Sequence, residues 1–243
     1  MSLYRELAPS PELHGLAACR WLRVVPEGSP STTLVLPDGC VDLIWRNGEL
    51  VIAGPDRSAN PTRLSAGQRI LGLRLRPGVA GAVLGLPASE VLDERHPLED
   101  VLGRVAAVLA ERISDDGEEA VFGHLEGLVS SRLRDAGPDP LVLAATRRLG
   151  FAGSRVDSLA DALGISDRQL RRRFHGAVGY GPKTLDRVLR FRRFVSQAPA
   201  VASGEVDLAR LAADLGYADQ SHLTRDCVRL SGMTPGGFAQ RRY

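Results

Sequence analysis

The stretch Ser158-Leu-Ala-Asp-Ala-Leu-Gly-Ile-Ser-Asp-Arg-Gln-Leu-Arg-Arg-Arg-Phe174 has a second copy in the same chain. That copy reads Arg210-Leu-Ala-Ala-Asp-Leu-Gly-Tyr-Ala-Asp-Gln-Ser-His-Leu-Thr-Arg-Asp-Cys227. The early positions of the first copy return 52 residues later: Leu159, Ala160, Leu163 and Gly164. The later positions return 53 residues later: Leu170, Arg172, Gly179 and Pro182. The second copy has therefore gained one residue in its middle.

Each copy places a glycine, Gly164 or Gly216, between two short amphipathic segments. A turn of this kind between two helices is typical of the helix-turn-helix, which places its second helix in the major groove of DNA. In the first copy, Ser166 followed by Gln169 predicts a capping box at the start of that second helix. In the second copy, Asp219 is the predicted N-cap. The repeat therefore predicts two DNA-reading modules.

The exposed faces of the two second helices carry the candidate DNA contacts. In the first copy, Leu170 and Phe174 are four residues apart and should face inward. The opposite face then carries Arg168, Arg171 and Arg172, and arginine pairs bidentately with guanine. The second copy presents a less charged face, which consists of Gln220, Ser221, His222, Thr224 and Arg225.

The charge of the chain is divided between its two parts. Residues 147–243 contain 17 basic and 9 acidic side chains, a net charge of +8, which is typical of a polyanion-binding domain. Residues 1–146 contain 14 basic and 20 acidic side chains, a net charge of −6, which DNA would repel. We therefore expect the first part to have another task.

The N-terminal third is interrupted by turn residues at the spacing of a β-barrel or sandwich. Asn47-Gly48 between Val41–Trp45 and Leu50–Ala53 predicts a two-residue hairpin. Helical periodicity follows in Val79–Leu84, Leu98–Ile113 and Glu118–Leu133. The sequence thus predicts an α+β protein with a β-rich N-terminal domain, a helical connector and an all-α C-terminal domain of two helix-turn-helix units joined by a linker helix. The predicted boundaries are residues 1–100, 101–137 and 138–243.

Residues 140–243 resemble the DNA-binding domain of the AraC/XylS family of bacterial transcription regulators. The motifs that carry the resemblance are Leu170-Arg-Arg-Arg-Phe174 with Gly179 and Pro182, and Gly216-Tyr-Ala-Asp-Gln-Ser-His-Leu-Thr-Arg225 with Gly232-Met-Thr-Pro235. The resemblance implies a linker helix, here at about 182–197, and we expect a loop at 198–204 before the second copy. It also implies base contacts by Arg168, Arg171, Arg172, Gln220, Ser221, His222, Thr224 and Arg225.

Two positions depart from the family pattern. Cys227 stands where an aromatic residue is usual and should loosen the core, and Phe194 stands where alanine is usual. On the linker helix, Arg187, Arg190, Arg192 and Arg193 are equally compatible with phosphate contacts and with solvation or pairing inside the protein.

In the family, the variable N-terminal part is usually a small β-barrel that binds an effector or a partner. Here Leu36–Trp45 resembles a less studied AraC-like subgroup. We assign the effector pocket to Trp21, Asp38, Asp42 and Trp45, with His14 as a further candidate. The alternative for each is a core or turn role. The alternative for the whole domain is a protein–protein interaction or dimerisation module.

No enzyme motif is present: there is no Gly-x-Ser-x-Gly, P-loop, Gly-x-Gly-x-x-Gly or His-Glu-x-x-His. Three scattered cysteines, Cys19, Cys40 and Cys227, fit neither a disulfide framework nor a zinc site. A redox switch between Cys19 and Cys40 is less favoured than two unrelated buried thiols. We expect no catalytic residue, no metal and no cofactor.

The predicted function is sequence-specific transcription regulation in the cytoplasm, responsive to a small-molecule effector. The expected partners are double-stranded DNA, with RNA polymerase and an effector as further candidates; no membrane is expected, and the chain is a monomer or homodimer. The competing interpretation is a protein scaffold or small-molecule enzyme built on helical repeats. DNA binding that weakens steeply with salt distinguishes the two.

Overall fold

The computed structural model describes residues 3–28, 30–113, 117–151, 153–154 and 156–241. The first hundred residues form the strands, and helices dominate the rest, so the α+β class is confirmed. The strands are β1 Leu3–Leu7, β2 Ala17–Val24, β3 Ser31–Val35, β4 Val41–Arg46, β5 Glu49–Ala53, β6 Asn60–Leu64, β7 Arg69–Leu75 and β8 Arg95–Pro97.

Six of the strands form one antiparallel sheet in the order β1-β2-β7-β4-β5-β8, and β3 pairs with β6 in a separate two-stranded sheet. The predicted hairpin joins β4 to β5. Its turn residues Asn47 and Gly48 have φ of 51° and 81°, the left-handed conformation that this short turn demands.

The two faces of the six-stranded sheet have different neighbours, because successive strand residues point to opposite sides. On β4, Val41 and Leu43 join the main hydrophobic core, whereas Asp42 and Ile44 line a cavity on the other side. The core face is covered by helices α1 Ala80–Leu84, α2 Leu98–Leu102, α3 Arg104–Ile113 and α4 Glu118–Asp135. The cavity face is opposite β3 and β6.

The predicted single helix over Leu98–Ile113 is in fact two helices, α2 and α3. Gly103 lies between them with φ of 54° and ψ of −133°, a conformation outside the helical region. Phe122, Leu125 and Val129 of α4 belong to the same hydrophobic cluster as the sheet. The connector helices therefore contribute to the core of the N-terminal part. In the described ranges, no helix combines the length and the apolar character needed to cross a bilayer.

The C-terminal part consists of helices packed around a second hydrophobic cluster. The helices are α5 Pro140–Leu149, α6 Leu159–Ala162, α7 Asp167–Val178, α8 Pro182–Ala202, α9 Leu208–Asp214, α10 Gln220–Ser231 and α11 Pro235–Ala239. The expected loop at 198–204 is wrong over five of its seven residues, because α8 continues through Pro199 to Ala202. Ala198 is buried and Val201 packs against the cluster, which offsets the helix hydrogen bond that Pro199 cannot donate.

Both departures from the family pattern lie in this cluster. Phe194 and Cys227 are fully buried. Phe194 contacts Phe191 and Phe238 at ring-centroid distances of 6.1 and 5.7 Å, and Phe191 and Phe238 are 5.8 Å apart. Three mutually contacting rings thus fill the centre of the domain, although the aromatic residue usual at position 227 is missing.

The three cysteines are free and buried. In the register of the sheet, Cys19 of β2 lies beside Arg74 of β7, and Asp42 of β4 lies on the other side of Arg74. The Cα atom of Cys19 is thus two strand spacings, or about 10 Å, from β4, which Cys40 directly precedes. A disulfide needs Cα atoms closer than about 7 Å. Burial raises the pKa of Cys19 to about 11 and that of Cys40 well above its ordinary value. These features favour two unrelated thiols over a redox switch.

We predict that Phe194→Ala lowers the free energy of unfolding by about 3–5 kcal/mol, because it empties the centre of the three-ring cluster. Urea unfolding monitored by circular dichroism measures the change. Phe151→Ala is the matched control: Phe151 is 71% exposed, so its loss should change stability by less than about 0.5 kcal/mol. Equal effects of the two substitutions would contradict a central role for the cluster.

Candidate nucleic-acid interface and interdomain cavity

The first helix-turn-helix unit consists of α6 and α7, with α5 packed behind them. Gly164 makes the turn with φ of 65°. The predicted capping box is present: the Ser166 hydroxyl accepts from the backbone N–H of Gln169, and the side-chain Oε1 of Gln169 accepts from the backbone N–H of Ser166 at 2.9 Å. These bonds satisfy backbone donors at the helix start and fix the direction in which α7 leaves the turn.

The exposed face of α7 carries the three predicted arginines. Arg168, Arg171 and Arg172 are exposed, whereas Leu170 and Phe174 are buried. No ion pair engages the three guanidinium groups within the part of the chain that the structure describes. They are therefore available to a ligand, and their common charge suits an anionic one.

The neighbouring Arg173 has a structural task. Its guanidinium donates to the Asp139 carboxylate at 2.6 Å. The same carboxylate caps α5 by accepting from the N–H of Leu141 at 2.9 Å. Arg173 thus fixes α7 to the start of α5, which leaves the other arginines of α7 exposed.

The second unit consists of α9 and α10. Gly216 makes its turn with φ of 79°, and Asp219 caps α10 by accepting from the N–H of His222 at 2.6 Å, as predicted. Gln220, Ser221 and Arg225 are exposed. The Thr224 hydroxyl donates to the Gln220 carbonyl oxygen at 2.9 Å, so it is partly engaged within the helix.

His222 differs from the other predicted contacts of α10. Its ring lies edge-on to Tyr217 with centroids 5.2 Å apart, and its Nε2 is 3.7 Å from Asp226. The side chain is therefore held by its own helix unit. Among the predicted contacts of α10, the exposed ones are therefore Gln220, Ser221 and Arg225.

Asp226 is a buried carboxylate that the sequence analysis did not single out. Only 5% of the residue is exposed. It lies 3.0 Å from the Arg187 guanidinium and 4.0 Å from that of Arg190, both on α8. Arg190 also pairs with Asp186 at 3.2 Å and lies over the ring of Tyr217 at 4.7 Å. This charged cluster joins the linker helix to the second unit.

The arginines of the linker helix are thus mostly used within the protein. Arg187 and Arg190 pair with acids, and Arg193 donates to the Leu149 carbonyl oxygen at the end of α5 at 2.8 Å. Arg192 remains exposed and lines the cavity between the domains. Pairing inside the protein is therefore the alternative that holds for three of these four arginines.

A cavity of about 560 Å³ lies between the six-stranded sheet and the β3–β6 pair. Its walls combine apolar side chains with guanidinium and carboxylate groups. One side is formed by α8, through Arg192, Val195 and Ser196. Sheet and linker helix therefore share one cavity, whose volume suits a small organic molecule.

The sheet side of this cavity contains a buried polar network. The Trp21 Nε1–H donates to the Asp42 carboxylate at 2.6 Å, and the Trp21 ring lies against Gly72, where a Cβ atom would collide with it. The Arg74 guanidinium lies 3.2 Å from Asp42 and 3.4 Å from Asp38. Burial raises the pKa of Asp42 although Arg74 opposes the shift.

The structure brings three of the four assigned effector residues to this cavity: Trp21, Asp38 and Asp42 all line it. Trp45 does not line the cavity. It is three residues after Asp42 on β4, so its side chain points to the other face of the sheet, where it packs against the main core. His14 is exposed in a loop and is also absent from the cavity wall.

Sequence reasoning missed other charged groups on the cavity wall. Asp56 accepts from the Arg95 guanidinium at 3.0 and 2.5 Å. Burial raises the pKa of Asp56 against the opposing effect of Arg95. No local motif marks these residues, because they are distant in sequence and meet only in the fold. Among the described residues, no group of histidine, cysteine and acidic side chains is arranged to hold a metal ion.

Two family models match parts of the chain. Residues 5–97 match a domain of unknown function, DUF6597, and residues 159–241 match a helix-turn-helix domain. Curated proteins from Streptomyces lividans and Streptomyces antibioticus, each named an AraC-like transcription regulator, are 31% identical over 155 residues. The match covers 63% of this chain and 46% of each relative, so the chain spans about half their length.

Solved structures match most of the chain at low sequence identity. ToxT from Vibrio cholerae O395 aligns over 98% of this chain and 96% of its own with 9% identity and a TM-score of 0.41. The AraC-like transcriptional activator CuxR aligns over 84% of this chain and 98% of its own with 13% identity and a TM-score of 0.27.

The sequence matches and the paired turn-helix geometry agree on the C-terminal part of the chain. Its two units have capped second helices, exposed polar faces and a shared linker helix with one buried face. Residues 159–241 thus have both the sequence and the geometry of a helix-turn-helix domain, and the chain is similar to proteins named AraC-like transcription regulators.

Proposed function

We propose that this chain is a sequence-specific DNA-binding transcription regulator of the AraC/XylS type whose N-terminal domain binds a small-molecule effector. The observation that carries the proposal is the pair of exposed faces on α7 and α10, whose helices both pack against α8. Both faces present side chains that can bond to base edges in a major groove: arginines on α7, and arginine, glutamine and serine on α10.

The dimensions of the linker helix support binding to successive major grooves. Helix α8 has 21 residues, which at a rise of 1.5 Å per residue makes it about 31 Å long. One turn of DNA is about 34 Å. Because one face of α8 is buried along its length and packs against both units, α8 links the two recognition helices.

The charge distribution supports DNA as the partner of the C-terminal part. The net charge of +8 over residues 147–243 would attract the phosphate backbone and make binding sensitive to salt. Because Arg173, Arg187, Arg190 and Arg193 are engaged within the protein, Arg168, Arg171, Arg172 and Arg225 carry the proposed contacts.

The cavity supports a sensory role for the N-terminal domain. It is lined on one side by apolar and charged side chains of the sheet and on the other by the linker helix. A ligand there contacts both domains at once. It would therefore change DNA binding if it has a higher affinity for one arrangement of the domains than for another.

We predict that one protomer protects about two turns of duplex DNA, because the two recognition helices enter grooves about 10 bp apart. Selection of bound sequences from random duplexes, followed by hydroxyl-radical footprinting on the selected site, measures the protected length. Protection confined to a single groove would show that only one unit reads DNA.

We predict that Arg172→Ala and Arg225→Ala each weaken binding to the selected site by about 1–3 kcal/mol and relax specificity in different half-elements. Fluorescence anisotropy with single-base variants of the site measures both effects. Arg210→Ala is the control, since it also removes one positive charge but lies on α9, where 84% of the side chain is exposed. If all three variants lose affinity equally on every sequence, the arginines act only through net charge.

We predict that Ile44→Trp abolishes the response to effector but preserves binding to DNA, because the larger side chain fills the cavity from β4. The measurement is DNA affinity with and without a deproteinised cell extract that changes the affinity of the unmodified chain. Ile44→Val, which enlarges the cavity slightly, is the control and should still respond. A response that persists in Ile44→Trp would place the effector elsewhere or favour the interaction-module alternative.

A further inference from the structure

The loop between β5 and β6 reaches the second recognition helix directly. The backbone N–H of Ala59 donates to the carbonyl oxygen of Leu230 at 2.8 Å. Leu230 lies in the last turn of α10, where carbonyl groups have no partner within their own helix. A backbone group of the N-terminal domain therefore satisfies the end of the second recognition helix.

The same region of the N-terminal domain packs against the end of the first recognition helix. Gly179 ends α7 with φ of 96°, and a Cβ atom at this position would lie 2.8 Å from the Pro55 side chain and 3.1 Å from the Ala88 carbonyl oxygen. Such close approach leaves no room for a side chain. Leu92 extends this contact by packing against the hydrophobic cluster of the C-terminal domain.

These contacting residues come from two segments, 54–59 and 88–95, which we call the interdomain clamp. Several bonds join the two segments. Asp93 accepts from the Arg57 backbone N–H and from its Nε–H, both at 2.6 Å. Asp56 pairs with Arg95, and the Gly54 N–H donates to the Glu94 carbonyl oxygen at 3.0 Å. The clamp is thus internally braced and touches both helix-turn-helix units.

We propose that the interdomain clamp fixes the distance and rotation between the two recognition helices, so that the N-terminal domain sets the spacing of the two DNA half-elements. The proposal rests on the proposed function, since it assumes that both helices read DNA. The two units otherwise meet through the linker helix, and each can rock against it by repacking of side chains. Contacts at the C-terminal ends of α7 and α10 restrain that motion.

The clamp also borders the cavity. Gly54, Asp56 and Arg95 belong to the clamp and line the cavity wall. A ligand that takes Arg95 away from Asp56 would disturb the brace between the two segments. Binding in the cavity would thereby shift both recognition helices, and the spacing of half-elements that the protein favours would change.

The test compares DNA affinities over a series of sites in which the selected half-elements are separated by about 9 to about 13 bp, centre to centre. Ala59→Pro removes the N–H that bonds to α10, and Ala59→Gly, which keeps it, is the control. Leu92→Ala removes packing against the C-terminal cluster, and Leu86→Ala, which removes the same atoms from the N-terminal core, is its control.

We expect the full chain to favour one spacing. In Ala59→Pro and Leu92→Ala, the affinity ratio between that spacing and its neighbours should fall roughly threefold or more, the order expected for the loss of one hydrogen bond. Affinity for an isolated half-element should not change, which separates positioning from general loss of structure. The two control variants should keep the profile of the unmodified chain.

An unchanged spacing profile in folded Ala59→Pro and Leu92→Ala overturns the clamp, even if the chain binds DNA as proposed. Equal broadening in the variants and their controls also overturns it, because the effect would then follow from stability alone. By contrast, failure of the unmodified chain to select any DNA sequence overturns the proposed function itself.

Discussion

The buried carboxylate of Asp226 joins the linker helix to the second recognition helix, and the geometry of the reading surface depends on it. A buried charge is tolerated only when it is paired, so Arg187 and Arg190 must stay on the same side of α8. A similar pair, Arg173 with Asp139, fixes the first unit. Arginines that could have faced DNA are thus used to hold the units in place, and the arginines left exposed on α7 and α10 define the surface that faces outward.

The six-stranded sheet separates the main hydrophobic core from the cavity. Leucines of one parity on β4 and β7 pack under α1 and α4, and this packing stabilises the N-terminal domain. Residues of the other parity, Asp42 and Arg74 among them, face the cavity. Their burial is costly, and hydrogen bonds to Trp21 and between the charged groups offset it. The position of each group in this network depends on its partners, so a ligand that replaces one partner would rearrange the others.

The N-terminal domain contacts the helix-turn-helix domain where helices end. The last carbonyl groups of a helix lack partners within it, and the end of α10 finds one in the Ala59 N–H. At the end of α7, Gly179 allows Pro55 and Ala88 to approach closely. These contacts lie at the ends opposite to the capped N-termini, beyond the exposed arginine face of α7. The domain thus touches both units and leaves that face accessible.

The sequence by itself determined the parts of this protein that depend on local chemistry. Repeats, caps and turn glycines predicted both helix-turn-helix units, and Asn47-Gly48 predicted the hairpin, because each pattern specifies its backbone within a few residues. Strand parity could already have separated Trp45 from Asp42. Only the tertiary structure decided that α8 continues past Pro199, that Arg95 meets Asp56, and that the N-terminal domain reaches both recognition helices. Those outcomes depend on packing and charge pairing between residues far apart in the chain, and no local pattern encodes them.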